Sequence, residues 1–285
     1  MISWVQAWNN YQGGNVFRKM ENPIAAFGDT LKAIRKGKRL SQLDLALDAG
    51  VSSRHLSFVE TGRAKPSREM ILRLAQTMNL SLRQQNALLV AAGFPAEFTQ
   101  TPVSSPEMSM IRQALERTLS NHEPYPAFVI NTSYDVLMAN TGFEQFLLPL
   151  VAKRLAAEPR NILLLTFDPD GLCRYIEDWN SVGHWLLDRV WEEAISSQND
   201  ALLKLHQRIS CHLPEARPSA STDSRFPVLP LTIVKDSVRI RMFSTITTLG
   251  TPLDVNLQEL RIESLFPADE ETAQLFLTLS GAASG

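Results

Sequence analysis

Apolar residues recur at helical spacing through the first third of the chain. Phe27, Leu31 and Ile34 fall three and four apart, the period of a helix that buries one face. Ser41 stands as the N-cap of a second helix running to about residue 49. Gly50, Val51 and Ser52 form a turn, and Ser52 caps a third helix to about residue 61. Gly62 closes that helix as a left-handed C-cap. Ser67 opens a fourth helix, with Leu72, Ala75 and Met78 at its apolar positions. Residues 82–92 make a fifth, stopped by Gly93 and Pro95. Residues 24–94 therefore read as an all-α, five-helix domain. Before it, residues 1–23 carry Asn-Asn, Gly-Gly and no sustained period, so they read as a poorly ordered extension. Met20 directly precedes the first helix and is a candidate translation start.

Residues 95–105 are rich in Pro, Ser and Thr and read as a linker. Beyond them, in a second domain over 106–285, the pattern becomes mixed. Residues 107–120 read as a helix. Two short apolar runs, 127–131 and 135–140, suit a hairpin. Residues 142–157 read as helical, and so does 172–211, with breaks near 180–183 and 196–200. Residues 229–235 and 238–247 read as strands joined at Asp236-Ser237. Residues 255–265 read as a further strand and 269–279 as a closing helix. Strands at both ends with helices between them define an α+β domain with one antiparallel sheet.

Composition changes the picture little. With 44% hydrophobic and 20% charged residues, the chain has enough apolar material for two cores. No apolar run is long enough to span a bilayer, and the N-terminus lacks the layout of a signal peptide. Cys173 and Cys211 form no Cys-x-x-Cys pair and read as reduced thiols of a cytoplasmic protein. Charge is more informative. Residues 24–94 hold 11 Lys/Arg against 5 Asp/Glu, a net of +6. Residues 95–285 hold 15 against 24, a net of −9. A basic head on an acidic body fits nucleic-acid binding by the head alone, although chance variation in surface charge gives the same tally.

The strongest local signal is the stretch SQLDLALDAGVSSRHLSFVETG over residues 41–62. Two helices crossing steeply at a tight turn need a small residue in the first, here Ala46. The turn needs a residue tolerant of positive φ, here Gly50. Val51, Leu56 and Val59 then pin the second helix. On these residues the chain resembles the phage-repressor (Cro/Xre) type of helix-turn-helix domain over about residues 25–92. The resemblance implies double-stranded DNA as partner. It gives Gln42 a phosphate contact. It places Ser53, Arg54, Ser57 and Phe58 at the base-facing positions of the recognition helix, and Arg63 and Lys65 in a loop that approaches phosphates. It makes Arg35 and Glu60 a buried structural pair. Helix N-termini at Ser41 and Ser52 offer N–H groups and positive dipole ends to phosphate. Arg54 can fork onto a guanine edge. Phe58 either packs on a thymine methyl or faces the protein.

The second domain resembles the MmyB-like, PAS-like ligand-binding domain. The resemblance rests on residues 126–140 (PAFVINTSYDVLMAN), 161–168 (NILLLTFD), 243–252 (FSTITTLGTP) and 257–267 (LQELRIESLFP). It implies a small-molecule effector, for which a fatty acid or similar amphiphile is the expectation, and no other cofactor. Candidate lining residues are Phe128, Ile130, Met138 and Asn140 in the first hairpin. Phe143, Phe146, Trp179, Trp185 and Phe243 are candidate aromatic walls; ordinary core packing explains the same residues. Arg189, Arg241 and His184 are candidate carboxylate anchors. Strand alternation puts Arg239 and Arg241 on the face opposite Val238, Ile240 and Met242, so wetting by solvent also accounts for them.

Signatures of catalysis are missing. The sequence has no nucleophile elbow, phosphate-binding loop or dinucleotide fingerprint, and His206, Cys211 and His212 lack metal-ligand spacing. Asp168-Pro-Asp-Gly reads as a turn. The expectation is a DNA-binding regulator, not an enzyme, acting as a homodimer and with no membrane partner. The alternative is a metabolite-binding protein or enzyme that uses the helix-turn-helix only as a protein-interaction adaptor.

Overall fold

A computed structural model describes residues 23–282 except 198, 215–229 and 251. The expectations for residues 1–22, an unordered extension and a start at Met20, lie outside the described residues. The chain divides into two compact units between Glu97 and Phe98.

The first unit is helical. It comprises α1 (Pro23–Gly37), α2 (Gln42–Asp48), α3 (Ser53–Glu60), α4 (Arg68–Thr77) and α5 (Leu82–Ala91). Ser41, Ser52, Ser67 and Ser81 each accept a backbone N–H from the residue three positions on, which satisfies a donor with no intrahelical partner. Ser41 and Asp44 complete a reciprocal capping box. Gly50 and Gly62 take the left-handed conformation, φ 62° and 70°, as the turns require. Phe27, Leu31, Leu45, Leu56, Ile71 and Leu74 are fully buried and form the core.

The second unit is α+β. Its sheet contains β1 (Ala127–Ile130), β2 (Val136–Ala139), β3 (Pro230–Lys235), β4 (Val238–Thr248) and β5 (Arg261–Pro267). The order is β2-β1-β5-β4-β3, with every named pair antiparallel. Asp236 and Ser237, both at positive φ, close the β3–β4 hairpin. Period-two alternation divides the sheet between two cores. Phe128, Ile130, Ile233, Ile240, Met242 and Leu265 face the larger one. Ala127, Val129 and Ile262 face the other, under Leu115 and Leu119 of α6 (Ser109–Ser120). The larger core is roofed by α7 (Lys153–Ala156), α8 (Ile162–Phe167), α9 (Trp179–Ser197) and α10 (Asp200–Ser210). Two further helices, α11 (Val255–Glu259) and α12 (Glu270–Ala282), flank β5 in sequence.

Three local expectations are corrected, and one helix is added. Residues 142–157 are not one helix: Phe143–Leu147 is wound as π turns and Leu148–Leu150 as a tight 3-10 turn. Pro149 has no N–H to continue a ladder there. The helix expected to break at 180–183 runs unbroken through Gly183. That glycine serves packing, because a Cβ on it would lie 2.6 Å from Leu213 and 3.1 Å from the Trp179 ring. Residues 255–259 are helical instead of extended, because Asp254 accepts the N–H groups of Asn256 and Leu257 and winds the first turn. Finally, 162–167 forms a helix that the apolar run ILLLTF did not reveal; its N-cap is Asn161.

Residues following the unit boundary are tied down locally. Asp254 accepts from the Thr99 hydroxyl at 2.7 Å and the Thr101 N–H at 2.9 Å, and Asn256 donates to the Thr101 carbonyl.

Candidate nucleic-acid interface and ligand cavity

The α2–α3 pair presents one polar face. Ala46, Leu56 and Val59 are buried, which fixes the rotation of α3. Ser52, Ser53, Arg54 and His55 are exposed as a consequence, and Ser57 and Phe58 are half-buried. The Arg54 guanidinium lies over the Phe58 ring, 5.4 Å from its centroid, so the ring is a shelf under the arginine. Ser52 caps the His55 N–H, and the Ser53 and Arg54 N–H groups have no intrahelical acceptor to bond. Arg63 and Lys65 are exposed in the following loop.

Behind this face lies a buried carboxylate. Arg35 grips Glu60 through two nitrogens, at 2.6 and 3.0 Å, and donates a third hydrogen bond to the Leu40 carbonyl at 2.7 Å. Gln42 also donates to Glu60, at 2.6 Å. Burial pushes the Glu60 carboxyl upward, but the bonds from Arg35 and Gln42 prevail and hold it below its ordinary value. Gln42 is thus committed in part to this pair and not wholly to the surface. Gly28 of α1 is the position that motif reading missed. A Cβ there would sit 2.5 Å from the Glu60 carbonyl oxygen, so only glycine lets α1 pass the end of α3.

In the second unit a cavity of about 100 Å³ lies between the sheet and α8–α9. Leu147, Leu163, Ile176, Leu231, Ile233 and Leu265 give it apolar walls. Trp185, 37% exposed, stands where it meets solvent. The polar side chains that line it are Arg189, Ser244, Glu263, Tyr134 and Thr166. Burial raises the Glu263 carboxyl above the ordinary range, against the opposing effects of Arg189, a Ser244 hydrogen bond and Arg261. The Tyr134 hydroxyl donates to Glu193 at 2.9 Å and is pushed up to about 12 by burial and by the Glu193 charge. Arg261 also pairs with Glu193.

Of the twelve candidate ligand residues, the cavity gathers Phe128, Trp185 and Arg189. Arg241 and Phe243 lie on the opposite sheet face. Arg241 pairs with Asp269 at 2.9 Å, and Phe243 stacks on Phe266 with centroids 5.5 Å apart. Met138 shares the second core and lines a separate groove beside Pro102 and Val103. Ile130 and Phe143 are sealed in the core, Phe146 packs on Phe276, and Trp179 packs edge-on to Phe167. His184 spends Nδ1 on the Asn180 carbonyl of its own helix. Asn140 is a backbone clasp, with four hydrogen bonds to 119, 125, 127 and 143. Glu263, Ser244 and Tyr134 were missed. The available signal was the alternation of β5, in which Glu263 shares the parity of buried Leu265.

A recognition-type helix in a basic head, followed by a sheet domain with an apolar cavity, defines a helix-turn-helix transcription regulator with a ligand-binding domain. Residues 31–85 match the helix-turn-helix family model, and residues 111–279 match that of the MmyB-like transcription regulator ligand binding domain. The chain belongs to this MmyB-like family. It is similar to uncharacterized HTH-type transcriptional regulators of Mycobacterium bovis and Mycobacterium tuberculosis, 27% identical over 143 residues. That alignment spans 46% of this chain and 56% of the relatives, so the chain matches about half the length of these curated proteins. Among solved structures, the restriction-modification controller protein C.AhdI from Aeromonas hydrophila is 32% identical. It aligns over 22% of this chain and 94% of its own, with a TM-score of 0.21. The clp gene regulator ClgR from Corynebacterium glutamicum is 23% identical over 36% of this chain and 96% of its own, TM-score 0.23. Among the described residues no helix is long and apolar enough to cross a membrane.

Proposed function

We propose that this regulator binds duplex DNA sequence-selectively through α3, and that a small ligand in the cavity of the second unit alters that binding. The observation that carries the DNA reading is the exposure of Ser53 and Arg54 while Leu56 and Val59 stay buried. It points a short polar edge with an arginine away from the core, the shape that enters a major groove. Arg63 and Lys65 supply phosphate contacts beside it. The protein acts in the cytoplasm as a homodimer, since one recognition helix reads few base pairs.

The ligand is small and largely apolar. An engineered cavity of about 150 Å³ holds benzene, and this one is about 100 Å³. That space takes an apolar group no larger than about one ring, and any longer part of a ligand would leave through the mouth at Trp185. Regulation requires that the ligand bind the DNA-competent and DNA-incompetent states with different affinities.

Fluorescence-anisotropy titrations of selected operator sequences test the DNA reading. Arg54→Ala loses discrimination at one base, about 1–3 kcal/mol. Lys65→Ala weakens all sequences alike and lowers the salt slope by about one. Identical, sequence-independent behaviour of the two variants, or no binding by the full chain at low salt, overturns the reading.

A further inference from the structure

We infer that Arg39, in the turn between α1 and α2, is a further contact to the DNA backbone, beside those of Arg63 and Lys65. The inference rests on the reading of the head as the DNA-binding unit.

Three turns of the head share one backbone form. In each, a residue at positive φ is followed by an apolar residue and then by the serine that caps the next helix. These are Arg39-Leu40-Ser41, Gly50-Val51-Ser52 and Asn79-Leu80-Ser81, with φ of 58°, 62° and 49° at their first residues. In all three the N–H of the apolar residue returns to the preceding helix, from Leu40 to Arg35, from Val51 to Ala46 and from Leu80 to Ala75. Glycine and asparagine are the residues that visit this conformation at least cost. They hold two of the turns, and an arginine holds the third. The turn itself gives no reason for that side chain, and strain of this kind gathers at functional positions. Arg39 is exposed, as are Lys36 and Lys38 of the same stretch. Among the described residues none of these three cations makes a side-chain hydrogen bond or ion pair.

The turn is also fastened to the recognition helix. The Leu40 carbonyl takes a hydrogen bond from Arg35, and Arg35 grips Glu60, the last residue of α3. The loop that carries the exposed cations Arg63 and Lys65 leaves from that same end of α3. Free guanidinium and ammonium groups flanking a helix that reads bases are the groups that neutralise phosphates. Such contacts raise affinity and set register without reading sequence.

Anisotropy titrations of the full chain test this, on a selected operator duplex and a scrambled duplex of equal length, over about 50–200 mM salt. Arg39→Gly should weaken both duplexes alike, by about three- to tenfold, and lower the salt slope by about one. Head-amide exchange should show a fold no less protected than the wild type, because glycine suits the turn. Arg39→Lys should keep most of the wild-type affinity and slope, since the counterion effect follows the charge. Wild-type affinity and slope in Arg39→Gly, while Lys65→Ala still weakens binding, overturns the inference and leaves the DNA reading standing. A loss confined to the operator duplex also overturns it, because that is how a base contact behaves. Weaker protection of the head in Arg39→Gly assigns the arginine to the fold and overturns it too. Absence of binding by the wild type at low salt overturns both.

Discussion

The Gln42 side chain donates to Glu60 at 2.6 Å, onto the same carboxylate that Arg35 grips. The residue expected to touch a phosphate therefore also completes a buried charge pair. Gln42→Ala should lower the stability of the head by about 1.5–3 kcal/mol, the range for a hydrogen bond to a charged group. Hydrogen exchange reads this in the head amides alone. A variant that keeps full protection while losing DNA affinity would assign Gln42 wholly to phosphate.

The same carboxylate sets a pH limit. Glu60 titrates below its ordinary value of 4.5, because the bonds from Arg35 and Gln42 outweigh the upward push of burial. A depressed native pKa adds stability above the unfolded value and loses it as pH falls through the native one. Protection of the head should fall more steeply below about pH 4.5 in the wild type than in Glu60→Gln, which has no proton to take up there. The variant should be less stable at neutral pH by about 3–5 kcal/mol, because Arg35 is left buried without its counter-charge. Parallel acid slopes for the two proteins would remove Glu60 from the acid response.

Two glycines of the head carry different constraints. At Gly50 a Cβ meets nothing within 4 Å, and the constraint is the φ of 62° alone. Gly50→Ala should cost about 1–2 kcal/mol, the penalty of a left-handed conformation. At Gly28 the backbone is ordinary helix, but a Cβ would sit 2.5 Å from the Glu60 carbonyl oxygen and 2.8 Å from that of Val59. Neither oxygen belongs to a flexible side chain, so α1 must move off α3. Gly28→Ala should therefore destabilise more than Gly50→Ala, by about 3 kcal/mol or more. Urea unfolding followed by head-amide exchange ranks the two; the reverse order would contradict the close approach of α1.

The contrast between these glycines shows why the head was legible in sequence and the cavity was not. Serine caps, a left-handed glycine and a 3.6-residue period are local, so residues 41–62 disclose their own geometry. Gly28 is legible only once the end of α3 is known to pass it. In the second unit the hairpins are legible, but an aromatic or basic residue type does not say which side of the sheet it occupies. Phe243 shares strand parity with Arg239 and Arg241, which alone places it on the face away from Ile240 and Met242. An acid in a strand carries no mark of burial in its residue type, and it is the parity of Glu263 with Leu265 that turns it inward. Asp254 capped a helix where apolar spacing had implied a strand, so side-chain capping outweighed pattern at 255–259.

Asn140 separates a ligand contact from a scaffold contact. Its oxygen accepts from the Ala127 and Phe143 N–H groups at 2.9 and 3.0 Å. Its nitrogen donates to the Tyr125 and Leu119 carbonyls at 2.8 and 3.3 Å. An amide has two acceptor lone pairs and two N–H donors, so this side chain has nothing left for a ligand. Asn140→Ala strands several buried backbone groups, each costing about 1–3 kcal/mol when unsatisfied. The second unit should lose about 3 kcal/mol or more of stability, seen as faster exchange across β1 and the turns after β2. Toluene affinity of the protein that remains folded should not change, because the cavity wall is intact. A tenfold loss of that affinity with exchange unaltered would return Asn140 to the ligand site and break the clasp account.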